Sequence, residues 1–260
     1  MKRFINDVKK FKQYLVYSTK SELKAEVASS RLSWLWWVLD PLLFMMVYTF
    51  ISLVVFNKSM QYFPVFVFIG LTTWNFFNKV FLGSVRLVKK NGSIVTKIYV
   101  PKYIFIIKQM LISGFKMCIS FLLTFVLMLC YRVQPTWRVI YVIPLLLTLF
   151  VVTFAFSTIV MHIGVFIDDL ANLMKVGLRF IFYMSGVFYS LESSVPEPYG
   201  TLMQTLNPVA CIMQGLRNCL LYGKDIDFIP VIAWFVGGIV ISAIGVSIIY
   251  KNENNYVKVM

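Results

Sequence analysis

Three pairs of residues in this chain have the types and positions to carry chemistry: Asp168-Asp169, Lys116 with Arg179, and Asp40-Pro41. Adjacent aspartates can hold Mg²⁺ for phosphate-transfer chemistry, but no third carboxylate follows, since the next residues are Leu170, Ala171, Asn172 and Leu173. The plainer expectation is that Asp169 N-caps the helix that follows, where its charge meets the positive end of the helix dipole. Lys116 lies fourteen residues past Lys102, roughly 21 Å along a helix, inside a long apolar run. Arg179 lies a third to half way along another. A charge at that depth in a membrane is costly and faces a bundle interior or an aqueous cavity. No carboxylate is expected at matching depth, Asp40 being shallower. Two readings follow. Either an anionic ligand, such as a lipid diphosphate or an anionic polymer, is the counter-ion, or the two side chains snorkel or pair with backbone carbonyls.

Other chemistries have little to build on. His162 is the single histidine, with no carboxylate or cysteine cluster beside it, so neither a metal site nor a nucleophilic triad is expected. Cys118, Cys130, Cys211 and Cys219 form no CxxC pair and read as small packing residues. The one Gly-Lys pair, Gly223-Lys224, is followed by Asp225, so no phosphate loop of the Gly-x4-Gly-Lys-Ser/Thr type exists. We expect no catalytic residue, no metal and no cofactor in this chain.

The elements that must position these residues are membrane helices. The 260 residues are 59% hydrophobic and 14% charged, whereas soluble domains carry about a quarter charged residues. The apolar residues fall in blocks of about twenty, the length of a spanning helix, and a β-barrel would alternate instead. Six spans are expected, near 34–56, 63–82, 103–130, 139–167, 171–190 and 229–250, in one all-α polytopic domain over 34–260. The first begins only at Trp34, behind a basic segment, so a cleavable leader is not expected. Sixteen basic residues fall on the side of the termini and five on the other, which puts both termini in the cytoplasm. The net charge of +14 is then a topology signal, and a nucleic-acid partner is not expected.

Three pieces do not span. Segment 1–33 carries Phe4, Val8, Phe11 and Leu15 at helical spacing with lysines between them. It reads as an amphipathic helix on the inner membrane surface or against a soluble partner. Loop 83–102, GSVRLVKKNGSIVTKIYVPK, is either a solvated positive loop or, through Arg86, Lys89, Lys90 and Lys97, a docking surface for a cytoplasmic partner. Segment 191–228 is apolar over Leu202–Tyr222 but broken by Pro196, Pro198 and Asn207-Pro208. It reads as short re-entrant helices near the outer face, tolerated where protein or a water-filled cavity surrounds them.

The order and spacing of several motifs resemble one family. They are Arg31-Leu32 followed by LWWVLDPLL (35–43), GLTTWNFF (70–77), Lys97 to Pro101, Asp169-Leu170, FYMSGVFY (182–189), and Asn207-Pro208 with Arg217 downstream. The chain resembles, over nearly its whole length, the permease subunit of type 2 ABC exporters for lipid-linked surface polysaccharide, O-antigen or teichoic acid. The resemblance implies a homodimer in the bacterial inner membrane, with a conduit between the copies and two ATPase subunits binding ATP and Mg²⁺. It implies that segments 1–33 and 83–102 dock the ATPase, that 191–222 with Asn207 and Pro208 gates the exit, and that a polyprenyl-diphosphate-linked glycan is the cargo. A drug or lipid exporter, or a polyprenyl-phosphate transferase using Asp168-Asp169, are the alternatives. The family often has Arg-Asp at Asp168-Asp169 and Ser-Pro at Ser185-Gly186, so a less kinked fifth helix is expected here. Asp40-Pro41 reads as a hinge between the surface helix and the first span, with Asp40 in reach of Arg31 and the pair suited to a helix start.

Overall fold

The computed structural model describes residues 2–28, 33–55 and 60–258, and no strand is present among them. Helices α1 (Lys2–Lys10) and α2 (Lys12–Ala28) precede α3 (Ser33–Phe50), whose end continues as a π-helical turn, Ile51–Val55. Then come α4 (Phe63–Val85), the short α5 (Leu87–Lys90) and α6 (Gly92–Val95), and α7 (Tyr103–Cys130). A 3₁₀ turn, Trp137–Tyr141, leads into α8 (Val142–Phe166). The chain continues as α9 (Leu170–Met184), α10 (Leu191–Ser194), α11 (Tyr199–Leu206) and α12 (Pro208–Arg217), and a π turn, Asn218–Tyr222, extends α12. Helices α13 (Phe228–Lys251) and α14 (Glu253–Lys258) close the chain.

Helix α4 is the core. Pro64 in its first turn fixes the helical φ where no backbone N–H is needed. From Val65 to Leu71 it is apolar all round apart from Gly70, the pattern of a helix surrounded by others, and no side chain in that run is more than 4% exposed. It touches α3, α7, α8, α9 and α12. Helices α8 and α13 form the other close pair. Gly245 faces Thr158 so closely that a methyl group there would collide with the hydroxyl, the small-residue packing that lets membrane helices approach.

Among the described residues five helices are long and apolar enough to cross a membrane: Trp34–Val54, Phe63–Val85, Tyr103–Cys130, Trp137–Phe166 and Phe228–Lys251. The expected fifth span, 171–190, is not among them. Helix α9 has 15 residues, about 22 Å, against a hydrocarbon core of about 30 Å. It includes Asn172, Lys175 and Arg179, and it stops where Gly186 takes a left-handed conformation with φ of 65°. The expectation of a straighter fifth helix is therefore wrong, because glycine here ends the helix.

The amphipathic stripe is real but faces inward. Phe4, Val8, Phe11 and the buried Leu15 pack on the bundle's own core, with the Phe4 ring 5.1 Å from Tyr103 and 5.9 Å from Phe154. Asp7 accepts hydrogen bonds from the hydroxyls of Tyr103 (2.8 Å) and Tyr250 (2.7 Å). Arg3 lies over the Tyr250 ring and donates to Tyr99, which donates to Glu253. Lys89 forms an ion pair with Asp168, and the His162 ring bonds the Tyr256 hydroxyl. These contacts gather both termini, loop 86–102 and Asp168 at one end of the bundle, the basic end.

At the opposite end α12 is buried along all ten residues. Its last side chain, Arg217, is 2% exposed. The guanidinium donates to the carbonyls of Phe66 (3.2 Å), Gly186 (2.9 Å) and Val187 (2.9 Å) and stacks 3.4 Å from the Phe66 ring centroid. A Cβ on Gly70 would lie 2.5 Å from this guanidinium, so glycine there makes the room. Replacing Arg217 by Met strands the two buried carbonyls of Gly186 and Val187, each costing about 1–3 kcal/mol, while Phe66 keeps its helical donor, and Gly70→Ala overpacks the site by about 1–3 kcal/mol. Thermal unfolding in detergent should show both losses, and Gly70→Ala should cost less in an Arg217→Met background than in wild type.

Candidate functional site

Four helices line an open cavity of about 570 Å³, a size common for ligand sites. Each helix contributes one face. From α3 come Trp36, Trp37, Asp40, Phe44 and Tyr48, and from α4 Trp74, Asn75, Asn78 and Lys79. Helix α7 contributes Ser113, Lys116, Met117 and Ser120, and α9 Lys175, Leu178, Arg179 and Phe182. The last two sets follow the i, i+3, i+4, i+7 spacing of a single helical face. Four cations and one carboxylate line the space, beside three tryptophans. The Thr72 hydroxyl, buried and without a protein partner, also lines it.

Lys116 and Arg179, expected to share a site from their depth alone, do line this one cavity. The premise about their counter-ions needs correction. Lys116 has a carboxylate partner, because its Nζ lies 2.6 Å from Glu26 of α2 and 5.2 Å from the centroid of Trp37. Segment 1–33 reads from sequence as a helix on the inner membrane surface or against a soluble partner; within it, α2 packs along α7 and brings Glu26 to Lys116. One turn earlier, Glu22 pairs with Lys108 of α7 at 2.6 Å and Lys90 of α5 at 3.5 Å. Burial pushes the Glu22 carboxyl up, but these two lysines more than reverse it and hold it below its ordinary value. Lys79 and Lys175 were not singled out in the sequence. Lys79 sits inside an apolar block as Lys116 does, so the same signal could have found it.

The other expected residues fall elsewhere. Asp40 and Pro41 line the cavity, but Pro41 is inside α3 and not at a helix start. Arg31 lies outside the described residues. Asp168 is held by Lys89, whose hydrogen bond and charge keep its carboxyl below the usual range. Asp169 takes the N-cap position of α9, but its side chain makes no capping bond. Among the described residues no three His, Cys, Asp or Glu side chains group as metal ligands. Arg86 and Lys97 are exposed at the basic end. The four cysteines are unpaired. Asn207 does cap a helix: its Oδ1 accepts from the backbone N–H of Val209 and Ala210, and its Nδ2 donates to Ser185 at 2.7 Å. Pro208 follows as the first residue of α12. A second, apolar groove of about 500 Å³ lies on the other side of α9, lined by Met174, Ile181 and Met184 with Phe77, Phe81 and Leu206.

With six-motif spacing and this helical bundle in place, the family is shown directly. The model of ABC-2 type transporters matches residues 14–221, and the chain belongs to that family. It is 26% identical over 248 residues to the O-antigen export system permease protein RfbA of Klebsiella pneumoniae, covering 95% of this chain and 94% of that one. It is 27% identical over 233 residues to the RfbA permease of Myxococcus xanthus, covering 90% of each.

The Asn207 cap gives a test of how the two halves of 185–217 are joined. Asn207→Ala should lose about 1–2 kcal/mol, read as a lower unfolding midpoint. Asn207→Asp keeps the acceptor and adds a charge favoured at a helix start, so it should lose less.

Proposed function

We propose that this chain is the membrane subunit of an ATP-driven exporter that moves an anionic, lipid-linked polysaccharide from the cytoplasmic to the outer side of the bacterial inner membrane. The observation that carries this reading is the cavity, in which cations from α4, α7 and α9 face tryptophans from α3 and α4. Cations suit a diphosphate headgroup, and indole faces suit the apolar faces of sugars. The names of the relatives point the same way. O-antigen is the first candidate cargo, and teichoic acid shares the required charge.

The rest of the mechanism follows as part of the proposal. The α9 segment is the fifth of six crossings, completed by the non-helical residues 185–190, and the basic end is cytoplasmic with both termini. Helices α10 to α12 form the outer re-entrant unit, with Asn207 and Pro208 at its joint as the exit gate. A cavity of this size takes a headgroup and not a polymer, so a conduit requires a second copy of the chain. The apolar side chains that α3 leaves exposed, Phe44, Val47 and Phe50 among them, supply a face for it. ATP and Mg²⁺ bind two partner ATPase subunits, which dock on Arg86, Lys89, Lys90 and Lys97, and membrane lipids surround the helices. Asp40-Pro41 is the hinge of α3, where Pro41 leaves the Trp37 carbonyl without its helical donor.

A neutral drug gives no reason for Lys79, Lys175 and Arg179 to line one cavity. A transferase would need Asp168 free for a metal, and Lys89 holds it. In cells that depend on this chain, Lys79→Ala, Lys116→Ala and Arg179→Ala should each cut export about tenfold or more, the worth of one charged contact, with assembly intact. Lipid-linked glycan should build up on the cytoplasmic side. Wild-type export by all three variants would sink the reading. Pro41→Ala should lower export per ATP hydrolysed more than it lowers assembly, and Asp40→Asn should be mild.

A further inference from the structure

Lys79, Lys175 and Arg179 line the cavity with no ion pair among the described residues, whereas Lys116 is turned to Glu26. Glu26 is not a wall of the cavity. It reaches in from α2, its side chain is 39% exposed, and the pair sits beside Trp37. A partly solvated single carboxylate on a flexible stem is an exchangeable counter-ion. A diphosphate held by the other three cations brings more charge to the same ammonium than one carboxylate does.

The same helix continues the chain of charges outward. Glu22 lies one turn from Glu26 and joins α2 to Lys108 on α7 and to Lys90 on α5. Lys90 belongs to the loop assigned above to ATPase docking. An unbroken series of named contacts therefore runs from the cavity to that loop: Lys116 to Glu26, along one turn of α2, then Glu22 to Lys90.

We propose that Glu26 is a resident competitor for the cargo headgroup, and that its displacement from Lys116 signals cavity occupancy through α2 to Lys90. This rests on the anionic-cargo reading and adds its selectivity and its regulation. A multivalent anion displaces Glu26, and a neutral or singly charged molecule does not. The anion gains Lys116 only in the released state, and that difference in affinity is what shifts the equilibrium. Reciprocity follows: a partner that holds Lys90 and α2 in the released arrangement tightens anion binding by the same factor.

The test uses the full chain with its ATPase partner in phosphatidylcholine vesicles, with farnesyl diphosphate as probe and farnesol as the uncharged control. The wild-type complex should bind the diphosphate and change its ATPase rate, and farnesol should do neither. Glu26→Gln should bind the diphosphate about threefold or more tightly, and its ATPase rate with and without probe should be nearly equal. Glu26→Asp should restore part of the response. The exchange Glu26→Lys with Lys116→Glu rebuilds the pair and keeps α2 docked, but it should bind the probe more weakly than wild type and lose the response. A Glu26→Gln complex with wild-type affinity and response overturns this inference alone. A wild-type complex that does not bind farnesyl diphosphate overturns the anionic-cargo reading beneath it.

Discussion

The far end of the bundle depends on Arg217, an arginine without an acidic partner. In a membrane, backbone that leaves a helix must find its hydrogen bonds inside the protein. Two carbonyls, those of Gly186 and Val187, lie just past the end of α9, and a third, that of Phe66, lies in the first turn of α4. One guanidinium serves all three. That single side chain lets α9 stop short, lets α12 bury every residue, and holds both against the central helix. Gly70 is the space this requires, and Asn207 repeats the device nearby, capping α12 while bonding Ser185.

The near end is built differently. Asp7, Glu22, Glu26 and Glu253 reach across from helices close to the termini and meet tyrosines and lysines of loop 86–102, α7 and α13. Almost every partner pair is separated by about ninety residues or more in sequence. The apolar stripe Phe4-Val8-Phe11-Leu15, which taken alone describes a helix for lipid or for a partner, thus serves as an internal seam.

This separation explains what was legible beforehand. Five of six spans could be read from length and hydropathy, because those are local properties. The motif order was enough to suggest the family. The pairing of Lys116 could not be read, since Glu26 sits in a segment that gives no sign of its depth. The sequence marks Arg217 only as part of a motif, because nothing in it distinguishes a cation in water from one bonded to the carbonyls of Phe66, Gly186 and Val187. Lys79 was overlooked for another reason: its neighbours are so apolar that the span absorbed it. The fifth span was misjudged because hydropathy sees 171–190 as one run, whereas the backbone obeys Gly186.

The contrast between the two ends also has a chemical side. Bonds between a guanidinium and backbone carbonyls in a dry interior have no competing ions and respond little to the surrounding solution. Ion pairs at partly wetted positions do respond, since salt and other anions screen or replace them. Changes in salt or in the anions present therefore reach the contacts of the basic end and leave those of Arg217 largely untouched.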